Sequence, residues 1–173
     1  SEDEGILTAG CAGGATATIT LPVKRETAGE QGWRVRVDGL TGGHSGVEIH
    51  KGRVNANKLM GELLRKLPDV RLACVDGGAK DNAIPRSCEA LLVSQTPDFA
   101  ERFEAAKAAC LAALPATEPH AVITCEAAEA AHAMTAECSA AALGLLGELP
   151  NGVQAMSADI AGLVQTSLNL GIL

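Results

Sequence analysis

Apolar positions along this chain change their period several times, and each change marks an element. Residues 15–21 alternate, with Ala15, Ala17, Ile19 and Leu21 on one side and Thr16, Thr18 and Thr20 on the other. Trp33, Val35 and Val37 alternate in the same way with Arg34, Arg36 and Asp38. A period of two with one polar face is the pattern of a half-buried antiparallel strand. Both segments are therefore expected as strands, an N-terminal pair separated by a polar loop at 24–32. The period then turns helical: Ala56, Leu59, Met60, Leu63, Leu64 and Leu67 fall on one face, with Asn55 as cap and Pro68 as stop. Strands are expected at 70–76 and 87–94, joined by a turn at 77–86. Asp98 and Glu101 have the spacing of a capping box. The helix they open buries Phe99, Phe103, Ala106, Cys110 and Leu114 before Pro115 stops it. A short strand at 121–125 follows. A third helix at 135–148 buries Cys138, Ala142, Leu145 and Leu146 and ends near Pro150-Asn151-Gly152. Val164, Thr166, Leu168, Leu170 and Ile172 alternate with Gln165, Ser167 and Asn169, which predicts a final strand.

The order β-α-β-β-α-β from 33 to 125 is that of a ferredoxin-like sandwich. The expected fold class is α/β (α+β): an antiparallel sheet with helices, extended by the N-terminal strand pair, a third helix and a C-terminal strand. Residues 1–173 read as one domain, with its core at 33–125 and the helix-plus-strand extension at 126–173. At 173 residues, 47% hydrophobic and 20% charged, the chain can bury a core without a metal or disulfide staple. Trp33, Phe99 and Phe103 are the only aromatics, so Ala, Leu, Ile and Val must fill most of that core.

Charge and cysteine usage narrow the function classes. A net charge of −7 excludes non-specific nucleic-acid binding, which needs Lys and Arg against phosphates. No apolar run approaches the roughly 18 residues of a membrane span. The acidic opening Ser1-Glu2-Asp3-Glu4 is unlike a signal peptide, and Ser at position 1 suggests a processed or excised piece of something longer. Six cysteines, none in a C-x-x-C pair and most within apolar patterns, are expected to be reduced and buried, which points to the cytoplasm.

Two adjoining phrases carry the candidate chemistry. Gly42-Gly43-His44-Ser45-Gly46 and Asn82-Ala83-Ile84-Pro85-Arg86 place hydrogen-bonding side chains in Gly- or Pro-marked turns after apolar stretches, where binding groups usually sit. His44 and His50, with Glu48 between them, do not form the H-E-x-x-H of a zinc protease, and His120 and His132 stand alone. Gly43-His44-Ser45-Gly46-Val47 lacks the last glycine of a serine-hydrolase elbow. No phosphate-binding loop is present either. The chain has no metal-ligand set and no complete catalytic machine. Taken singly, His44 reads as a loop histidine, Asn82 as a turn former and Arg86 as a surface charge.

Six ordered phrases shift that reading. The stretch from Glu4-Gly5 to Gly10-Cys11-Ala12-Gly13-Gly14 comes first, then the His44 phrase through Glu48-Ile49-His50, then Asn55-Ala56-Asn57-Lys58-Leu59. The Asn82–Arg86 phrase, Pro150-Asn151-Gly152-Val153 and Thr166-Ser167-Leu168-Asn169 complete the set. Together they resemble the bacterial aminoacyl-histidine dipeptidases (Xaa-His dipeptidases, the peptidase D family). The resemblance implies the lid, or dimerisation, domain of a cytosolic zinc dipeptidase. Its metal ligands and general base lie in a catalytic domain absent from these residues, and the lid continues past Leu173 with further strands and a helix. It also implies that His44 stabilises the oxyanion, in some cases across a homodimer, while Asn82 and Arg86 bind the dipeptide substrate. The family's usual Glu after Pro-Arg is Ser87 here. Two other readings stay open: a purely structural dimerisation module, and a small-ligand-binding ferredoxin-like domain.

Overall fold

The computed structural model describes residues 4–5 and 13–173. Along them run β1 (Arg25–Thr27), β2 (Gln31–Asp38), β3 (Gly43–His44) and a 3-10 turn (Ile49–Lys51). Next come α1 (Ala56–Leu64), β4 (Val70–Gly77), β5 (Ala83–Ile84), β6 (Cys88–Ser94), α2 (Phe99–Ala112) and β7 (Val122–Ala127). β8 (His132–Met134), α3 (Ala136–Glu148), β9 (Gly152–Met156) and β10 (Val164–Leu168) close the series.

Val35 and Val37 make β2 a central strand. It pairs antiparallel with β6 on one side (Val35 opposite Ala90) and with β7 on the other (Val35 opposite Cys125), while β4 pairs with the far side of β6. The sheet order β4-β6-β2-β7 is the ferredoxin-like order, as the βαββαβ pattern implied. Val35, Val37, Ala90, Leu92 and Ile123 are buried beneath the helices, whereas Arg34 and Arg36 reach Glu89 on the open face. The three aromatics form one stack: Trp33 lies 4.8 Å from Phe99, and Phe99 lies 6.4 Å from Phe103, centroid to centroid. In a core of small aliphatics, this stack fills the space between α2 and the sheet.

α1 is buried almost all round, from Ala56 to Leu64 with only Lys58 and Glu62 outside, because α3 covers the side that the sheet and α2 leave open. Gly61 makes that contact possible, since a Cβ there would sit 3.0 Å from Leu146 Cβ. Lys58 reaches across to the C-terminal end of α3, donating to the carbonyls of Leu146, Gly147 and Leu149 at 2.6–2.8 Å. Those carbonyls lack partners within their own helix, so the ammonium caps them.

A buried amide cluster sits at the N-terminal end of α1, beside Lys58. Asn55 Oδ1 accepts from the backbone N–H groups of Asn57 and Lys58, a side-chain N-cap. Its Nδ2 donates toward Asn151 Oδ1 (3.0 Å), Asn169 Oδ1 (3.2 Å) and the Leu170 carbonyl (3.1 Å). Asn57 Nδ2 also donates to Leu170, and the Leu173 N–H donates to Gly77 O at 2.9 Å. The last residues are thereby folded back onto the start of α1 and the end of β4.

Several expected elements take other forms. Residues 15–21 are not a strand: they are exposed and unpaired, because β6 and β7 already occupy both edges of β2. The expected N-terminal strand pair is replaced by β1, inside the supposed loop at 24–32, paired with β8. The final strand ends at Leu168, and its neighbour is β9, in a stretch where the sequence pattern gives only the stop of the third helix. Asp98 makes no side-chain cap; its Oδ2 accepts from Arg102 Nε instead. In α3 the buried set is Ser139, Ala142, Leu143 and Leu146, with Cys138 and Leu145 half-buried. Of the cysteines, Cys88 and Cys110 are buried, Cys125 and Cys138 are half-buried, and Cys74 is exposed, against expectation. Cys11 and the first of the six phrases, apart from Glu4-Gly5 and Gly13-Gly14, lie outside the described residues.

Candidate functional site

The loop from β2 to α1 and the loop from β4 to β6 leave the same end of the sheet, and a two-residue ladder joins them. Gly43 pairs with Ile84 and His44 with Ala83, and the Ser45 N–H donates to Asn82 O at 3.0 Å. His44 and Asn82, proposed from separate phrases, are thus neighbours on one exposed rim. Arg86 follows in the same loop, three residues beyond Ala83. Its Nε donates to the Leu40 carbonyl at 3.1 Å and its stem packs over Gly42. It lines an open cavity of about 780 Å³ that adjoins the ladder, with Gly43, Ala83, Arg36, Asp76 and Glu89.

Local chemistry sets the posture of His44. Its Nδ1 accepts from the backbone N–H groups of Gly46 (3.0 Å) and Val47 (3.2 Å). An accepting nitrogen carries no proton, so in the neutral ring the proton resides on Nε2. Among the described residues nothing bonds Nε2. The His44 N–H donates to Glu48 Oε2 at 2.9 Å, and the Glu48 N–H donates back to His44 O at 3.0 Å. Glu48 Oε1 pairs with Lys51 Nζ and Arg53 Nη2, each at 2.9 Å. The His44 N–H, then Lys51 and Arg53, hold the Glu48 carboxyl down at about 2 despite some desolvation. Gly43, at φ 150, leaves the space that Arg53 and Glu48 fill; a Cβ there would collide with both side chains.

Glu118 anchors the loop from below. It is 4% exposed; Oε2 accepts from the Thr41 N–H at 2.7 Å and Oε1 from the Val54 N–H at 3.0 Å. One carboxylate therefore ties both ends of the segment that presents His44. From the other side, Asn169 Nδ2 donates to Asp81 O (3.1 Å) and Ala83 O (2.8 Å), linking the Asn82 turn to the amide cluster at α1. Sequence reasoning missed Glu48, Arg53, Glu118 and Asn169 as supports. Glu48 and Arg53 had a faint signal, a carboxylate with cations three and five residues on. Glu118 had none, lying 77 and 64 residues from the amides it holds.

Among the described residues no three His, Cys, Asp or Glu side chains converge as a metal site, so a zinc ion does not fit them. His50, His120 and His132 are exposed and apart. Burial pushes the Cys88 thiol up to about 12 and that of Cys125 to about 11, so both favour the neutral thiol. What this site presents at the rim is hydrogen-bond donors. One pH dependence follows from Glu48. Its folded pKa lies below the ordinary 4.5, so its stabilising contribution is full above 4.5 and is lost as pH falls toward 2. Carboxyl ¹³C titration should give Glu48 a midpoint near 2, and a midpoint at 4.5 contradicts the clamp.

Comparison with known proteins agrees with this architecture. The peptidase dimerisation domain family matches residues 35–121, half of the chain. The cytosol non-specific dipeptidase of Escherichia coli (strain K12) is 35% identical over 190 aligned positions, covering 99% of this chain and 37% of the relative. The crystal structure of aminoacylhistidine dipeptidase from Vibrio alginolyticus superposes with a TM-score of 0.80 at 33% identity, over 88% of this chain and 33% of that one. The chain thus spans about a third of the length of these relatives. With β4, β6, both main helices of the sandwich and both site loops inside the matched range, the chain belongs to the peptidase dimerisation domain family.

Proposed function

We propose that this chain is the lid of a cytoplasmic zinc dipeptidase acting on Xaa-His dipeptides, and that His44 reaches over a catalytic site housed on other polypeptide. The observation that carries this reading is the His44 ring, with Nδ1 tied into its own turn and the Nε2–H left as a donor on an exposed rim. Val47 supports it. This apolar side chain is 74% exposed three residues from His44, as expected of a tip that another surface covers.

In this mechanism the chain supplies donors and no metal ligands. His44 Nε2–H donates to the carbonyl oxygen as it gains negative charge, a place where a preset donor acts more on the transition state than on the ground state. Asn82 adds an amide donor beside it. Arg86, with Nε held by Leu40 O, presents its two Nη groups to the dipeptide's terminal carboxylate. The chain alone does not cleave Ala-His. The whole enzyme is a homodimer, and the outer edge of β7 is the surface this domain offers for pairing, since Ser139 and Arg25 already bond the outer edge of β4.

In the complete dipeptidase containing this chain, His44→Ala should lower kcat by about a hundredfold or more with little change in KM. Normal turnover by that variant would instead support a purely structural dimerisation module. Sedimentation of the 173-residue chain should show a dimer growing with concentration, and a monomer throughout would contradict self-association through this domain.

A further inference from the structure

The turn that carries His44 is built like the start of a helix, with an imidazole in the place of the usual oxygen. At an ordinary N-cap, a Ser, Thr or Asp side chain accepts from N–H groups two and three residues on, and a Glu near the end of the turn reaches back to the cap's own N–H. Here His44 Nδ1 takes the N–H groups of Gly46 and Val47, and the Glu48 carboxylate takes the His44 N–H. The turn closes through Glu48 N–H to His44 O, and Arg53 Nη2 with Lys51 Nζ holds the carboxylate from outside. Arg53 also donates to Gly42 O, so the carboxylate is braced against the strand that enters the turn.

We infer that Glu48 is a positioning residue that locks His44 as the Nε2–H tautomer by closing the turn whose amides occupy Nδ1. A free imidazole exchanges between tautomers and rotates about its side-chain bonds, so only part of its population presents Nε2–H at a given place. Two backbone donors on Nδ1 remove the other tautomer, because a protonated Nδ1 would face two N–H groups with nothing to accept them. They also fix the ring direction. Gly46 is part of the device: a Cβ there would stand 3.2–3.3 Å from the His44 ring, too close for the ring to lie over the amides without moving. This inference rests on the donor role proposed for His44, but its test does not depend on turnover.

The experiment is ¹⁵N spectroscopy of the imidazole nitrogens in the 173-residue chain, above the imidazole titration range. His44 is assigned among the four histidines by its loss in His44→Gln. The wild-type ring should show one unprotonated nitrogen, Nδ1, and one protonated nitrogen, Nε2, at widely separated shifts. In Glu48→Ala the two shifts should converge toward the averaged values of free imidazole, and the Gly46 amide should exchange about tenfold faster, as for one lost hydrogen bond. Val35 and Leu92 amides should stay unchanged, reporting an intact sheet. Glu48→Gln, which keeps an acceptor oxygen for the His44 N–H, should restore the wild-type ring pattern. A protonated Nδ1 in wild type, or the same ring pattern in wild type and Glu48→Ala, would overturn the inference. If the ring pattern follows this expectation while His44→Ala leaves turnover intact, the tautomer lock stands and the donor role falls.

Discussion

The amide of Asn55 joins three parts of the chain that the sheet does not join. Its oxygen caps α1, and its nitrogen meets Asn151, Asn169 and the carbonyl of Leu170. Buried at 2% exposure, such a group is costly unless each end is satisfied, and partners that satisfy it must come from fixed positions. Through Asn169 the same cluster grips the carbonyls of Asp81 and Ala83, and through the β3–β5 ladder those residues hold His44. A rim of irregular loop thus inherits the rigidity of a helix start. Glu118 does the corresponding work on the other flank by binding Thr41 and Val54 together.

This arrangement explains why Asn-rich phrases recur along a chain whose core is otherwise Ala, Leu and Val. Asn55, Asn57, Asn151 and Asn169 fall in three of the phrases on which the resemblance to aminoacyl-histidine dipeptidases rests. In the structure they touch one another or the same carbonyl rather than a solvent-facing ligand. They are support for a site, not the site. His44 and Asn82, in contrast, leave their polar ends at the surface. The division matches what a donor-supplying domain needs: buried amides that hold position, and exposed groups whose partners come from elsewhere.

Much of this was legible in the chain. Elements with one face in the main core announced themselves: Val35 and Val37 in β2, Leu59 to Leu64 in α1, Phe99 and Phe103 in α2. Their periodicity is imposed by burial, and burial leaves a record in residue type. Where burial does not choose the residues, pattern misled. Ala15, Ile19 and the threonines alternate like a strand, yet no edge of β2 was available to pair with them. β1 and β8 form a three-residue ribbon of mostly polar residues, too short to carry a period. β9 was hidden because both of its faces are largely exposed, so nothing forced alternation. At the site, the nearness of His44 and Asn82 followed from two loops at one sheet end, but the posture of Arg86 is set by its bond to the Leu40 carbonyl, which spacing does not encode. Glu118 illustrates the same gap, since a carboxylate's role as anchor appears only once distant amides converge on it.

The central claim is that the buried amide cluster, acting through Asn169, holds the His44 and Asn82 loops together. Amide hydrogen exchange in Asn169→Ala tests this most directly. The account expects Ser45, whose N–H bonds Asn82 O, to exchange about tenfold faster, while Val35 and Leu92 in the sheet keep their protection. Unchanged exchange at Ser45, or equal loss of protection throughout the sheet, would contradict it.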